Sequence, residues 1–334
     1  MRTNAVPQLT KKHIKTVDMK RFFLAIAALV LSAGLMSAQD LKTATDTYNS
    51  GAEQLTMGNK TAALEKFQAA FDIAKTLEGD GVEDLVNNCK NAIASTTLSI
   101  AKEMYNNKNF DEAITKMKEA EAKAKEFGNE EIAKEAASLI PQVEITKDME
   151  AANAAFKAKD VAGAIAGYTK VMAADTANGV AALRLGQLLS GTGKFSEAIQ
   201  YLGVAARNGQ EGNAKSLLSS TYLKDAVNNL KNKNYTGAVA SAVKANEFKE
   251  NAQAYLIAGQ ASQKAGKNAD AISYFEKYLE AAPTAKNAGA IAYTVGALYQ
   301  QAGNKAKAIE NYKKVLSDPQ FGAEAKKLID SLSK

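Results

Sequence analysis

One histidine, His13, and one cysteine, Cys89, are present in 334 residues. That leaves no intrachain disulfide and no Cys/His cage for a metal. His13 lies upstream of Met19-Lys20-Arg21, an apolar run over 22–31 and a small-residue exit over 32–38. A basic start, an apolar stretch of about 15 residues and small residues at its end are the three parts of a secretory signal peptide. The stretch falls short of the ~20 residues with which a helix crosses a bilayer. The expectation is export to the periplasm or beyond as a soluble protein with no stable membrane span. Cleavage is expected after Ala38, with residues 19–38 as the signal and 1–18 as an upstream extension. A lipoprotein would need Cys beside the cleavage point, and none stands there. Without residues 1–38 the chain has no histidine, which removes Ser-His-Asp and Cys-His nucleophiles, His-ligated zinc and imidazole acid–base work.

The other chemistry-bearing types are numerous but unfocused. Cys89 sits four residues from Leu85 and from Ile93 on an apolar helical stripe, which predicts a buried, inert thiol. Ser190-Gly-Thr-Gly-Lys194 resembles a phosphate loop only in part. Leu188 stands where the first Gly of that motif belongs, and Phe195 where Ser or Thr follows the Lys. The segment reads as a turn between two helices. Glu78-Gly-Asp80-Gly-Val-Glu83-Asp84 lacks the alternating oxygen ligands of a calcium loop and reads as carboxylates at a helix start, with Asp80 and Glu83 as a capping box. Glu119 and Glu121 stand four residues ahead of Lys123 and Lys125, the spacing of ion pairs on a solvated helix face. Nothing privileges any pair of carboxylates for glycosidase work. No catalytic, metal or cofactor site is expected, and the chain is expected not to be an enzyme.

Charge narrows the partners. The 42 basic and 36 acidic residues give a formal +6, but six of the basic residues and one of the acidic lie in 1–38. The remainder carries a net +1 with two arginines, Arg184 and Arg207, and offers no basic stripe to track nucleic-acid phosphates.

The elements that would position any site come from a repeat. Leu55 to Ala63-Leu64, Tyr105 to Ala113-Ile114, Phe156 to Ala164-Ile165 and Leu230 to Ala238-Val239 share one pattern. A version one residue longer in the turn runs from Leu189 to Ala198, Ser262 to Ala271 and Tyr299 to Ala308. Twelve residues before each of these seven alanines stands Gly51, Ala101, Ala152, Gly186, Ala226, Gly259 or Gly296. Four residues after it comes Phe67, Met117, Tyr168, Leu202, Ala242, Phe275 or Tyr312, with Ala242 the exception to a bulky rule. Small residues at both anchor points let two helix backbones approach, and the bulky one fills the gap to the next repeat. Such a hairpin cannot cover its own apolar face, so stacking must stabilise it.

This pattern resembles the tetratricopeptide repeat (TPR), a 34-residue helical hairpin with small, small, aromatic and small residues at these offsets. The resemblance covers roughly residues 44–320. It implies an all-α, right-handed α-α superhelix, or solenoid, of about seven hairpins, here closed by an amphipathic capping helix from Ala323 to Leu332. It also implies a protein or peptide partner, held on the concave surface that the first helices build. Carried onto this sequence, the groove positions are Tyr48; Leu98 and Lys102; Met149 and Asn153; Leu183 and Gln187; Leu223; Leu256 and Gln260; and Tyr293. The subgroup that clamps C-terminal carboxylates has Lys then Asn at the first two such positions, and no repeat here has that pair. The expected function is a scaffold or adaptor in the cell envelope; the alternative is an exported module that binds a small molecule or glycan in the same groove.

Spacing divides the array. Successive anchors lie 50, 51, 34, 40, 33 and 37 residues apart, so the first two intervals demand elongated helices. One is expected from about Asp80 to Asn106; the next, from about Glu130, is expected to kink or break at Ile140 ahead of Pro141. The organisation read from this is an N-terminal region over 39–145 with long helices and a regular array over 146–334.

Overall fold

A computed structural model describes residues 35–334. The expected extension over 1–18 and all but the last four residues of the expected signal, 19–38, lie outside the described residues. The described residues form fifteen helices and no strand. They divide into two compact units that meet between Glu150 and Ala151.

The first unit contains α1 (Leu35–Thr56), α2 (Lys60–Ala74), α3 (Val82–Asn106), α4 (Phe110–Glu126) and most of α5 (Glu130–Lys157). In the second, α6 (Val161–Ala174) precedes the hairpins α7 (Gly179–Gly191)/α8 (Phe195–Arg207), α9 (Glu211–Lys231)/α10 (Tyr235–Phe248), α11 (Ala252–Lys264)/α12 (Asn268–Ala281) and α13 (Ala288–Gln301)/α14 (Lys305–Lys313). A final helix, α15 (Gly322–Leu332), follows them. Consecutive helices pack on one another. First helices also touch first helices: α1 meets α3 in one unit, and α9 meets both α7 and α11 in the other.

All seven anchor alanines are fully buried, from Ala63 to Ala308. The bulky residue does more than face the next hairpin, because it also closes over the small residue of its own. A Cβ placed on Gly51 would stand 2.9 Å from the Phe67 ring, and one on Gly259 only 2.5 Å from that of Phe275. Gly296 and Tyr312, and Gly186 and Leu202, repeat the arrangement. The missing side chain is thus the space that the large one occupies, and the two helices lock face to face. At the C-terminus Leu328, Ile329 and Leu332 of α15 pack against the cluster of Tyr299, Tyr312 and Val315, as a cap should.

Three expectations need correction. The turn inside the hairpin has one length throughout: in each, two residues separate the helix end from the next N-cap, as at Asn107-Lys108 and Ala265-Gly266. What differs is the buried or half-buried residue before the turn (Leu189, Ser262 or Tyr299), which lies one place earlier on the first helix in the supposedly longer version. Second, α5 runs unbroken through Pro141. Pro141 and Ala137, whose carbonyl loses its hydrogen bond, are both exposed, so water can take that acceptor. Leu139 and Val143, buried on either side, hold both halves of the helix in one cluster. Third, Asp80 and Glu83 form no capping box. The N-cap of α3 is Gly81, with no side-chain bond, while Glu83 and Asp84 fall in the first turn, where carboxylates favour the helix dipole.

Candidate functional site: the first-helix surface and a pocket between second helices

The residues expected to line a groove separate into those that the core absorbs and those left near solvent. In the first unit Tyr48 is buried against Phe67, with ring centroids 5.1 Å apart. Burial, and the neighbouring Cys89, push its phenol up to about 12. Leu98 belongs to the cluster around Met117. Lys102 reaches Glu135 at 2.7 Å. Met149 is half-buried. In the second unit Asn153 accepts a 2.7 Å hydrogen bond from the Tyr168 hydroxyl. Leu183 and Leu256 are buried. Tyr293 lies between Tyr312 and Phe321, at 5.4 and 5.1 Å, and so helps to seat α15.

Near solvent remain Gln187, exposed on α7, Leu223, half-buried on α9, and Gln260, half-buried on α11. Gln187 accepts from Arg184 at 3.3 Å, and the Arg184 guanidinium lies 4.9 Å from the Phe156 ring centre. Because α9 touches α7 and α11, these side chains belong to successive, directly packed helices of one unit. The surface alternates amide groups with apolar carbon.

The other chemistry-like segments take structural roles. Ser190 is buried and its hydroxyl accepts from Thr221 at 2.9 Å, while Thr192 and Gly193 form the turn into α8. Cys89 is fully buried, and burial pushes its thiol up to about 12, far from a reactive thiolate. Glu119 takes Lys116 at 2.7 Å and Lys123 at 3.1 Å, and Glu121 takes Lys125 at 2.5 Å, which makes α4 the ion-paired face the spacing predicted. Among the described residues no three His, Cys, Asp or Glu side chains gather as metal ligands, and no helix is long and apolar enough to cross a membrane.

Sequence reading passed over one site. Between α10 and α12, above α11, lies a pocket of about 290 Å³. Its floor is Ala242, Ala254 and Ala258; its walls are Tyr255, Tyr274 and Val243; Asn246, Glu247 and Lys277 stand around it. The signal was present in part, since Ala242 is the one small residue at the bulky position. Ala258 adds to it: thirteen residues before the anchor the position varies, with Ile100, Leu185 and Val295 large in three repeats and Ala258, like Ala151, only a methyl.

Residues 155–220, from the end of α5 into α9, match the family model described as Tetratricopeptide repeat. No curated protein sequence matches the chain. Among solved structures, a crystal structure of MamA is similar at 24% identity and a TM-score of 0.36, over 54% of this chain and 94% of that one. YrrB, described as a TPR protein with an unusual peptide-binding site, is similar at 23% identity and a TM-score of 0.34, over 53% and 88%. A tetratricopeptide repeat protein from Parabacteroides merdae is similar at 13% identity and a TM-score of 0.26, over 88% and 100%.

Proposed function

We propose that this chain is a non-enzymatic scaffold of the cell envelope, which holds an extended or helical segment of another protein against its first-helix surface. The observation that carries this reading is the direct packing of α7, α9 and α11, which puts Gln187, Leu223 and Gln260 on neighbouring helices. Amide side chains can pair with the backbone of a guest while Leu223 and its neighbours cover its apolar carbon. A surface held by stacked, fully packed hairpins is ordered before binding, so little entropy is lost on its side of the encounter. The segment Met19 to Ala38 supports a place outside the cytoplasm, by its charge and hydropathy pattern alone.

Two measurements test the reading. Gln187→Lys combined with Gln260→Lys changes solvent-facing groups, so the variant should melt with its parent yet lose the proteins that crosslink to the parent in intact cells. A double variant that retains them sinks the assignment of the surface. Mass spectrometry of the exported chain should find Gln39 at its start, and exported material that still carries residues 19–38 contradicts the signal.

A further inference from the structure

The pocket over Ala242 has a chemistry of its own. Three alanine methyls make its floor, and two tyrosine rings with Val243 make its walls, so its body is apolar. Lys277 and Asn246 bring donors to it, beside the Tyr274 hydroxyl. Lys277 holds its ammonium 5.9 Å from the Tyr255 ring centre and 6.0 Å from that of Tyr274, and among the described residues no carboxylate pairs with it. Asn246 already accepts the Asn251 amide proton through Oδ1 at 2.8 Å, which leaves its NH₂ to give. Acids lie near it as well: Glu247 takes Lys244 at 2.7 Å, Glu250 takes the Tyr255 hydroxyl at 3.5 Å, and Glu280 is close enough to add to the rise that burial gives the Tyr255 phenol. A cationic and a neutral donor beside an apolar, aromatic-walled floor are complementary to an anion with an apolar body.

We propose that this pocket binds a small carboxylic acid with an aromatic or branched apolar body. The body lies on Ala242, Ala254 and Ala258 between the Tyr255 and Tyr274 rings, and the carboxylate meets Lys277 and Asn246. At about 290 Å³ the space falls at the lower end of small-molecule sites, which suits a single ring. Tyrosine faces receive such a ring by offset or edge contact, and a charged hydrogen bond to Lys277 gives orientation. The site is built by second helices α10 and α12 together with α11, and its lining residues are none of those given to the first-helix surface above.

The test uses the full chain and 3-phenylpropionate as the probe, with 3-phenylpropanol and maltose as comparisons, followed by titration calorimetry. The acid should bind saturably, with a Kd of about 1 mM or tighter, and the alcohol and sugar should bind at least about tenfold more weakly. Lys277→Gln should weaken the acid by about tenfold and bring it level with the alcohol. Ala258→Leu puts at the floor the side chain that Leu185 supplies at the same repeat position; Ala258 is buried, so the change is expected to lower the melting temperature, and the variant that stays folded should no longer bind the acid. No saturable binding, equal binding of the alcohol or preferred binding of maltose overturns the proposal. So does a folded Ala258→Leu variant that binds the acid as before.

Discussion

Two neighbouring joints of the second unit use the same backbone repeat and fill it differently. Where α9 and α10 meet α11, the buried cluster is Ala226, Ala242, Ala245, Ala254, Ile257 and Ala258, five alanines and one isoleucine. Where α12 meets α13, the repeat positions of Ala242, Ala245, Ala254 and Ala258 hold Phe275, Tyr278, Ile291 and Val295, all buried. Both joints bury their anchor alanines completely, so the anchors set the helix spacing in each. The side chains around them decide whether the space between second helices is closed. Large ones close it; alanine leaves the pocket beside Tyr255 and Tyr274. Stability and an available cavity are alternative outcomes of the same repeat position.

The sharpest way to break this comparison is to empty the aromatic joint. Phe275→Ala should cost about 3–5 kcal/mol, the range for a buried aromatic, read as a shift in urea midpoint at unchanged slope. A loss under about 1 kcal/mol means the joint does not depend on that ring. Next in size is Gly259→Ala, which drives a methyl into the Phe275 ring and should cost about 1–3 kcal/mol. Combined with Phe275→Leu, part of that loss should return; strict additivity in the cycle refutes the direct lock.

A smaller effect distinguishes the turns. Gly266 adopts φ +73° before α12, whereas Lys233 adopts φ +61° at the equivalent place before α10. An L-residue is strained in this left-handed region by about 1 kcal/mol. Lys233→Gly should therefore stabilise the alanine joint by roughly that much, and Gly266→Ala should weaken the aromatic one comparably; thermal melts of both variants give the two signs. The smallest effect is alkaline. Burial raises the Tyr312 phenol, and burial followed by Glu276 raises that of Tyr299. Groups with raised folded values contribute fully below the ordinary tyrosine value and lose that contribution as pH rises past about 10. Tyr312→Phe removes the 2.8 Å bond to Gln300 and should flatten the alkaline fall by less than about 1 kcal/mol; an unchanged pH profile counts against Tyr312 as a source of it.

The hairpins were legible because small residues twelve places apart, with a large one four places on, leave few ways for two helices to meet. The position of α5 was legible for the same reason, but its continuity was not. Pro141 signals a break unless one knows that Ala137 faces water. The common turn was obscured because the buried or half-buried residue before it shifts by one place, and because Lys108, Lys159 and Lys233 take a left-handed conformation that glycine advertises and lysine does not. Repeat offsets identify the face of a first helix without showing how far its neighbours cover that face. Tyr48, Leu98, Leu183 and Leu256 therefore lie in the core, while Gln187 and Gln260 reach toward solvent. The second-helix pocket needed a comparison of two positions, Ala242 and Ala258, that no single repeat displays.

Site-specific photocrosslinking in intact cells tests the central claim most directly. A benzophenone side chain placed at Gln187 or Gln260 should trap the same protein from both positions, while one at Gln200, exposed on the second helix α8, should trap none of it. Equal trapping from Gln200, or unrelated products from Gln187 and Gln260, contradicts a binding surface built by the first helices.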